Sequence, residues 1–367
     1  MNTAIPDTRP TLGLGKLAKR VAGAIVAISL TVVLIGSAFF RPVFEGGLHV
    51  VPRFPLSQWV ADLPSHLWWV GLFFLFSASM APLRAFRWGF TLAKPKPRYS
   101  DRYHSVAIGL LGNNVIPGKL GEALRAMTLT HFTKKRGKPI AFAQSLGTIL
   151  VCKLLDLVAL LVLVSLSPSG PFFGGNGNFT GGLTGVAIAV PILIGVLFLA
   201  AKFTPRIADW LEAKGRYPKI QKALRDLGVG IAASGSAKRI GLAFLGTLVA
   251  IASVSTGYTI ALYGAGVHAG FFAGVILLAA VTLGQSPPGV PAGLGMYYLS
   301  CTWAARLLGA TPEQAATLAV LTHLTTVISH IAVGAASLLI RRVRLRDLVP
   351  RGRDRRPAES PESVRGS

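Results

Sequence analysis

Asn113-Asn114-Val115-Ile116-Pro117-Gly118-Lys119-Leu120-Gly121-Glu122-Ala123-Leu124-Arg125 is a polar, helix-breaking run inside an otherwise apolar region of the chain. Lipid cannot hydrogen-bond exposed backbone. A broken helix at membrane depth is therefore tolerated only where protein or a polar cavity surrounds it. A second break, Gln285-Ser286-Pro287-Pro288-Gly289-Val290-Pro291-Ala292-Gly293-Leu294-Gly295, falls in the second half. Two such breaks, one in each half, point to a transport site at a repeat interface.

Of the 367 residues, 51% are hydrophobic and 14% charged, and mean hydropathy is +0.55. That is the composition of a membrane protein, and several apolar stretches approach the roughly 20 residues that span a bilayer. The formal net charge of +24 would suggest nucleic acid in a soluble protein. Here Lys and Arg gather in a few loops and the tail, which reads as cytoplasmic segments facing anionic lipid. No nucleic-acid-binding signature is present, so nucleic acid is not an expected partner. Cys152 and Cys301 lie in apolar stretches with no disulfide or metal spacing. Walker, G-x-S-x-G, H-E-x-x-H and dinucleotide motifs are missing, so neither an enzyme nor a cofactor is expected.

The pattern predicts an all-α polytopic membrane protein of about six to eight transmembrane helices with one or two re-entrant broken hairpins. Residues 1–18 read as a disordered lead, 19–343 as one membrane domain and 344–367 as a disordered basic tail. Helix one is expected over about Lys19–Phe40, and helix two over about His66–Leu83. Helix two then leads into a basic loop holding Arg84, Arg87, Lys94, Lys96, Arg98 and Arg102. The segment 104–131 is broken at Pro117-Gly118 and flanked by basic clusters on both sides, so it reads as a hairpin entered from the cytoplasm. Helix three (about Ile140–Leu166), an external loop without Lys or Arg (Ser167–Gly182) and helix four (about Leu183–Phe203) follow. Residues 204–239 are basic and amphipathic, as one or two helices lying on the inner leaflet would be. Helix five is expected over about Ile240–Tyr263. A second broken pair covers 271–308, as either a re-entrant hairpin or two full spans. The last helix, about Glu313–Ile340, ends at a run of arginines. Counting sides places both termini in the cytoplasm of a multi-pass plasma-membrane protein. The two breaks then enter from opposite sides, as in an inverted repeat.

The helix resuming after Gly118 offers free N–H groups and a positive dipole end, a setting that attracts an anion such as a lipid phosphate. Lys119 and Arg125 add charge, and Arg can hold phosphate through two parallel hydrogen bonds. Glu122 is either an i,i+3 brace for Arg125 or a functional group, as a headgroup ligand or a proton-coupled switch. Lys153 and Asp156 sit mid-helix on one face, where ionisable groups pair or line a water path. His323 and His330, seven residues apart, share a face with Thr322 and Thr326. They read as a proton relay or as interhelical hydrogen-bonding groups. Gln285, Tyr297 and Tyr298 flank the second break, either as neutral donors or as partners for the freed backbone groups.

Asn114-x-x-Pro117-Gly118-Lys119-x-Gly121-Glu122-x-x-Arg125 resembles the N-x-x-P-G-[RK]-x-G-E-x-x-R signature of the lysylphosphatidylglycerol synthase transmembrane-region family, which are flippase-like integral membrane proteins. Lys153-x-x-Asp156 is similar to that family's E-R-x-x-D helix, and Pro291-Ala292-Gly293-Leu294-Gly295 to its P-G-G-x-G run. Two positions depart from the pattern. Cys152 replaces the usual Glu before the basic residue, and Tyr298 stands where the later motif commonly has Glu. Each removes an acid. The resemblance implies an eight-helix-type domain with re-entrant segments that moves lipids between leaflets. No synthase activity is expected, because the aminoacyl-transferase domain of synthase members has no counterpart in this sequence.

The expected function is a lipid flippase or transporter for an anionic phospholipid or a polyprenyl-linked lipid. Its headgroup cavity would draw on Asn114, Pro117, Gly118, Lys119, Gly121, Glu122, Arg125, Lys153 and Asp156 from the first half. Gln285, Gly293, Gly295 and Tyr298 would come from the second. Two rivals stand beside it: a membrane-embedded lipid-modifying enzyme, and a non-catalytic partner of a cell-envelope glycosyltransferase docked through 204–239.

Overall fold

The computed structural model describes residues 40–43, 49–52, 56–116, 120–167, 195, 199, 202–214, 218–233, 235–285, 293 and 295–344. The expected lead, helix one short of Phe40, nearly all of the 167–182 loop, most of helix four and the tail lie outside those residues, as do Pro117, Gly118 and Lys119 of the first break.

The described part is helical apart from one short hairpin. β1 (Phe40–Val43) pairs antiparallel with β2 (His49–Pro52), with Phe40 opposite Pro52. No strand was expected between helix one and helix two. The β-branched and proline-flanked run His49-Val50-Val51-Pro52 suits a short edge strand.

α1 (Leu56–Ala78) runs into α2 (Met80–Thr91) through Ser79. The helical ladder continues across the joint, since Ser79 N–H donates to the Leu75 carbonyl at 2.9 Å. Ser79 Oγ turns back onto the Phe76 carbonyl (2.7 Å) and meets Ser253 Oγ (2.9 Å). Such back-bonding is a usual way to bend a helix without breaking it. The expected helix two thus continues to Thr91, so Arg84 and Arg87 are helical residues, while Lys94, Lys96 and Arg98 lie in the connection that follows and Arg102 in the next helix. The apolar run Ala85-Phe86-x-Trp88-Gly89-Phe90 keeps the helix going past both arginines.

α3 (Tyr99–Val115) and α4 (Gly121–Lys135) form the first broken pair, followed by α5 (Phe142–Ser165). A helical stretch over 202–213 and α6 (Pro218–Ala232) come next. Arg225 of α6 ties the two together by pairing with Asp209 at 2.9 Å and with Glu212. α6 packs on α5, while Phe203, Ile207, Trp210, Ile220 and Val229 stay exposed. The second half runs through α7 (Ala237–Gly264), α8 (Phe271–Gly284), α9 (Met296–Leu307) and α10 (Pro312–Arg341). Thr311 and Gln314 form a reciprocal capping box at the start of α10, with Pro312 just inside it.

Among the described residues, four helices are long and apolar enough to cross a membrane: Val60–Thr91, Phe142–Ser165, Ala237–Gly264 and Pro312–Arg341. With 14 and 12 residues, α8 and α9 fall short of the roughly 20 that a span takes. They form a broken pair like α3 and α4. In both halves a long helix precedes, and a long helix follows, a short–break–short pair.

Among the described residues, two of the four core clusters surround the broken pairs. One gathers Trp69, Phe73, Tyr258, Leu262, Leu277 and Leu318 around the second broken pair. The other gathers Ala85, Trp88, Val106, Ala126, Leu129 and Ile149 around the first. The ends of α10 show how the pairs are set. Its C-terminal Arg341 reaches Asp101, at the open end of the α3–α4 pair, at 2.6 Å. Arg136, just past α4, holds the same fully buried carboxylate at 3.0 Å. The N-terminal turn of α10 instead lies beside the α7–α8 connection, where Gly266 packs against Gln314. α9 leads into that turn directly, so the second pair opens there. The two pairs therefore open toward opposite ends of the bundle.

Candidate functional site

The first break brings α4 back against α3. Gly121 N–H donates to Asn113 Oδ1 at 2.9 Å. A Cβ on Gly121 would lie 2.2 Å from the Gly109 carbonyl oxygen and 2.4 Å from the Asn113 side chain, so only glycine lets the limbs close. Asn114 Nδ2 donates to the Leu110 carbonyl (2.8 Å) and faces His330 Nδ1 of α10 at 3.2 Å. An amide N–H there makes Nδ1 the acceptor, which puts the ring proton of a neutral imidazole on Nε2.

Glu122 stands in the first turn of α4, where the helix dipole favours a carboxylate. Its Oε1 takes Lys153 Nζ of α5 at 2.7 Å, and its Oε2 lies 3.4 Å from Arg125 Nη1. Arg125 is only 3% exposed and stacks on Trp88, its guanidinium carbon 4.0 Å from the ring centroid. Trp88 is fixed in turn by its Nε1–H bond to Thr148 Oγ1 at 2.9 Å. The Nε and Nη2 groups of Arg125 are buried without a hydrogen-bond partner among the described residues.

Asp156, one turn beyond Lys153, belongs to a second pair. It meets Arg87 at 2.8 Å, and Arg87 also donates to Thr247 Oγ1 (2.6 Å) and to the Cys152 carbonyl (3.3 Å). Arg87 is 1% exposed and ties α2, α5 and α7 into one unit. A narrow cleft of about 10 Å³ opens beside these pairs, lined by Arg84, Val106, Gly109, Leu110, Asn113, Glu122 and Arg125. Arg84 makes no hydrogen bond or ion pair among the described residues.

The second break builds a different, neutral environment. Gly293 and Gly295 take positive φ of 69° and 87°, a conformation open to glycine at little strain, and Gly293 lies against Gln285. Tyr297 donates to Thr322 Oγ1 at 2.9 Å, and Thr322 donates on to the Leu318 carbonyl. The Tyr297 hydroxyl proton is thus used, so Tyr258, at 2.8 Å, must be the donor to Tyr297. His323 stacks on Tyr297 (ring centroids 4.4 Å apart) and meets Tyr298 edge-on at 5.1 Å. Both tips therefore dock on α10. The first meets it at His330 and the second at Thr322 and His323, about 10 Å apart along the axis at 1.5 Å per residue, astride the helix midpoint.

Of the residues singled out from sequence, Asn114, Gly121, Glu122, Arg125, Lys153 and Asp156 come together at the first break. Gln285, Gly293, Gly295 and Tyr298 line no part of its cleft; they belong to the second break, where Gly293 lies against Gln285 and Tyr298 meets His323. Sequence reasoning missed Arg84, Arg87, Trp88 and Asn113. A signal was present: Asp156 at mid-span demands a cation, and Arg87 is flanked by apolar residues on both sides.

No curated protein and no solved structure matches this chain. The family model described as the lysylphosphatidylglycerol synthase TM region matches residues 25–334. The first-break motif, the Lys153–Asp156 helix and the second glycine-rich break all fall inside that range. The chain is therefore a multi-pass, all-α membrane protein belonging to the lysylphosphatidylglycerol synthase TM region family.

Proposed function

We propose that this protein moves an anionic lipid, a phospholipid or a polyprenyl-phosphate lipid, between the leaflets of the plasma membrane without modifying it. One observation carries the reading: among the described residues, the buried guanidinium of Arg125 keeps its Nε and Nη2 groups without a hydrogen-bond partner at a helix break. An unsatisfied buried charge is costly, and a phosphate oxygen is the partner a guanidinium fork fits best. Membership of a family tied to membrane lipids supports it. Opposed opening of the two broken pairs also supports it, since alternating access needs a gate toward each side. Glu122 and Lys153 form the polar floor over which a headgroup would pass. At about 10 Å³ the cleft is roughly the size of one water, so the headgroup is admitted only as the α3–α4 pair swings.

Reconstitution in liposomes with a panel of fluorescent lipids tests this directly. Protein-dependent movement of anionic lipids, exceeding that of phosphatidylcholine, is expected. Movement of no lipid, or of all lipids alike, would remove the proposal.

The positive-inside rule argues that the basic connection after α2 and the basic ends of α4 and α10 face the cytoplasm. Both native cysteines are buried, so single reporters are clean. His268→Cys should label from outside intact cells, and Lys96→Cys only after permeabilisation. The reverse pattern would invert the topology.

A further inference from the structure

We infer that the headgroup this cleft accepts is dianionic, a phosphomonoester, and that a phosphodiester with its single charge is a poor ligand. The inference rests on the lipid-transport reading and narrows its substrate class. Among the described residues, four cations meet at the first break, Arg84, Arg87, Arg125 and Lys153, against two carboxylates, Glu122 and Asp156. The surplus is two positive charges. Asp156 is committed to Arg87 at 2.8 Å and Glu122 to Lys153 at 2.7 Å. The surplus therefore falls on Arg125, whose contact with Glu122 is stretched to 3.4 Å, and on Arg84. Both of these line the cleft.

Among the described residues, no other acid on the surrounding elements restores the balance. Asp101, the carboxylate on α3, is already taken by Arg136 and Arg341 at the open end of the pair. From α10 the cleft region is faced by His330, whose Nδ1 is engaged by Asn114. Asn113 adds only a neutral amide, and its oxygen is used by Gly121 N–H. Arg125 supplies two unpaired N–H groups, and Arg84 a whole guanidinium free of hydrogen bonds and ion pairs among the described residues. Two guanidinium forks need more acceptor oxygens and more charge than one phosphodiester presents. A phosphomonoester has three terminal oxygens and, with a second pKa near 6, about two negative charges at neutral pH. In a low-dielectric setting the ligand that neutralises the site is strongly preferred over one that half-neutralises it. A lipid phosphomonoester and a soluble one share this chemistry.

The test uses the full chain in nanodiscs, measuring binding of phosphatidic acid, phosphatidylglycerol, phosphatidylcholine and soluble glycerol 3-phosphate. Phosphatidic acid should bind about tenfold or more tightly than phosphatidylglycerol at pH 7.5, as one additional charge-assisted pair would give. That preference should shrink below about pH 6, where the monoester loses its second charge. Arg84→Gln should lower phosphatidic acid binding about tenfold and phosphatidylglycerol binding much less, with Arg84→Lys recovering part of the preference. Arg84 is only half-buried, and an unchanged melting temperature in detergent separates a binding loss from unfolding.

Equal binding of the two anionic lipids by the wild-type protein would overturn the dianion inference. The transport proposal would survive that result if both lipids are still moved in liposomes. Retention of the full preference by Arg84→Gln would also overturn it. Displacement of phosphatidic acid by equimolar glycerol 3-phosphate would support the charge argument while overturning a lipid as its source. If no lipid is either bound or moved, it is the transport proposal that fails.

Discussion

Arg125→Ala and Glu122→Gln are each expected to abolish lipid movement in liposomes, by about a hundredfold or more if the headgroup contact is lost in the moving state, while both proteins remain folded. The two substitutions act differently. Removing Arg125 deletes the unpaired fork and its stacking on Trp88, whose ring centroid lies 4.0 Å from the guanidinium carbon. That cation–π contact is worth about 1–2 kcal/mol when desolvated, so a measurable but survivable fall in melting temperature is expected. Arg125→Lys, which keeps charge and loses the fork, should recover stability more than transport. Glu122→Gln keeps volume and the first-turn position. It weakens the dipole interaction by roughly 1 kcal/mol or less and leaves Lys153, 45% exposed, without its carboxylate partner. Pairing the flipping assay with thermal unfolding in detergent decides the matter. Normal movement by both stable variants would take these residues out of the mechanism. Variants that merely unfold would make the motif a brace for the hairpin.

Much of this site was legible because the first break violates a strong rule. Proline, glycine and charge inside an apolar stretch demand an explanation in lipid, so Glu122, Arg125 and the Lys153–Asp156 pair stood out without a structure. The same holds for the long helices and the second glycine-rich break. The partners were not legible, because they depend on packing between distant segments. Nothing local says that Lys153 takes Glu122 while Asp156 takes Arg87, or that Asn114 meets His330. Arg84 and Arg87 were misplaced for a specific reason. They were read by charge alone, as loop markers under the positive-inside rule, although the apolar periodicity runs through them to Leu92. A half-buried arginine and a fully buried one look identical in one dimension. The neutral character of the second tip was foreshadowed by Tyr298, which stands where an acid is usual. Its distance from the Glu122 cleft was not.

Asp156→Ala is expected to be the most destabilising single change in the membrane core, by about 3–5 kcal/mol, the range measured when one partner of a buried ion pair is deleted. The reason is the asymmetry of the pair. Arg87 is 1% exposed and Asp156 22%, so losing the carboxylate strands a guanidinium that cannot reach water. Its bonds to Thr247 Oγ1 and the Cys152 carbonyl remain, but neither supplies charge. Replacing both residues with leucine removes the stranded charge, and substitution of buried pairs by apolar residues is often neutral or better. The double variant Arg87→Leu/Asp156→Leu should therefore regain most of the stability that Asp156→Ala loses, as read from melting temperatures in detergent. Transport separates two roles for the pair. If it only ties α2, α5 and α7 together, the double variant should move lipid at close to the wild-type rate. If the pair also holds Arg84 and Arg125 in place around the cleft, stability should return while transport does not. The second outcome is expected, because Arg87 sits one turn from Arg84 and directly beside Trp88, the ring on which Arg125 rests. An Asp156→Ala protein as stable as wild type would show that the Arg87–Asp156 contact is not buried as described here.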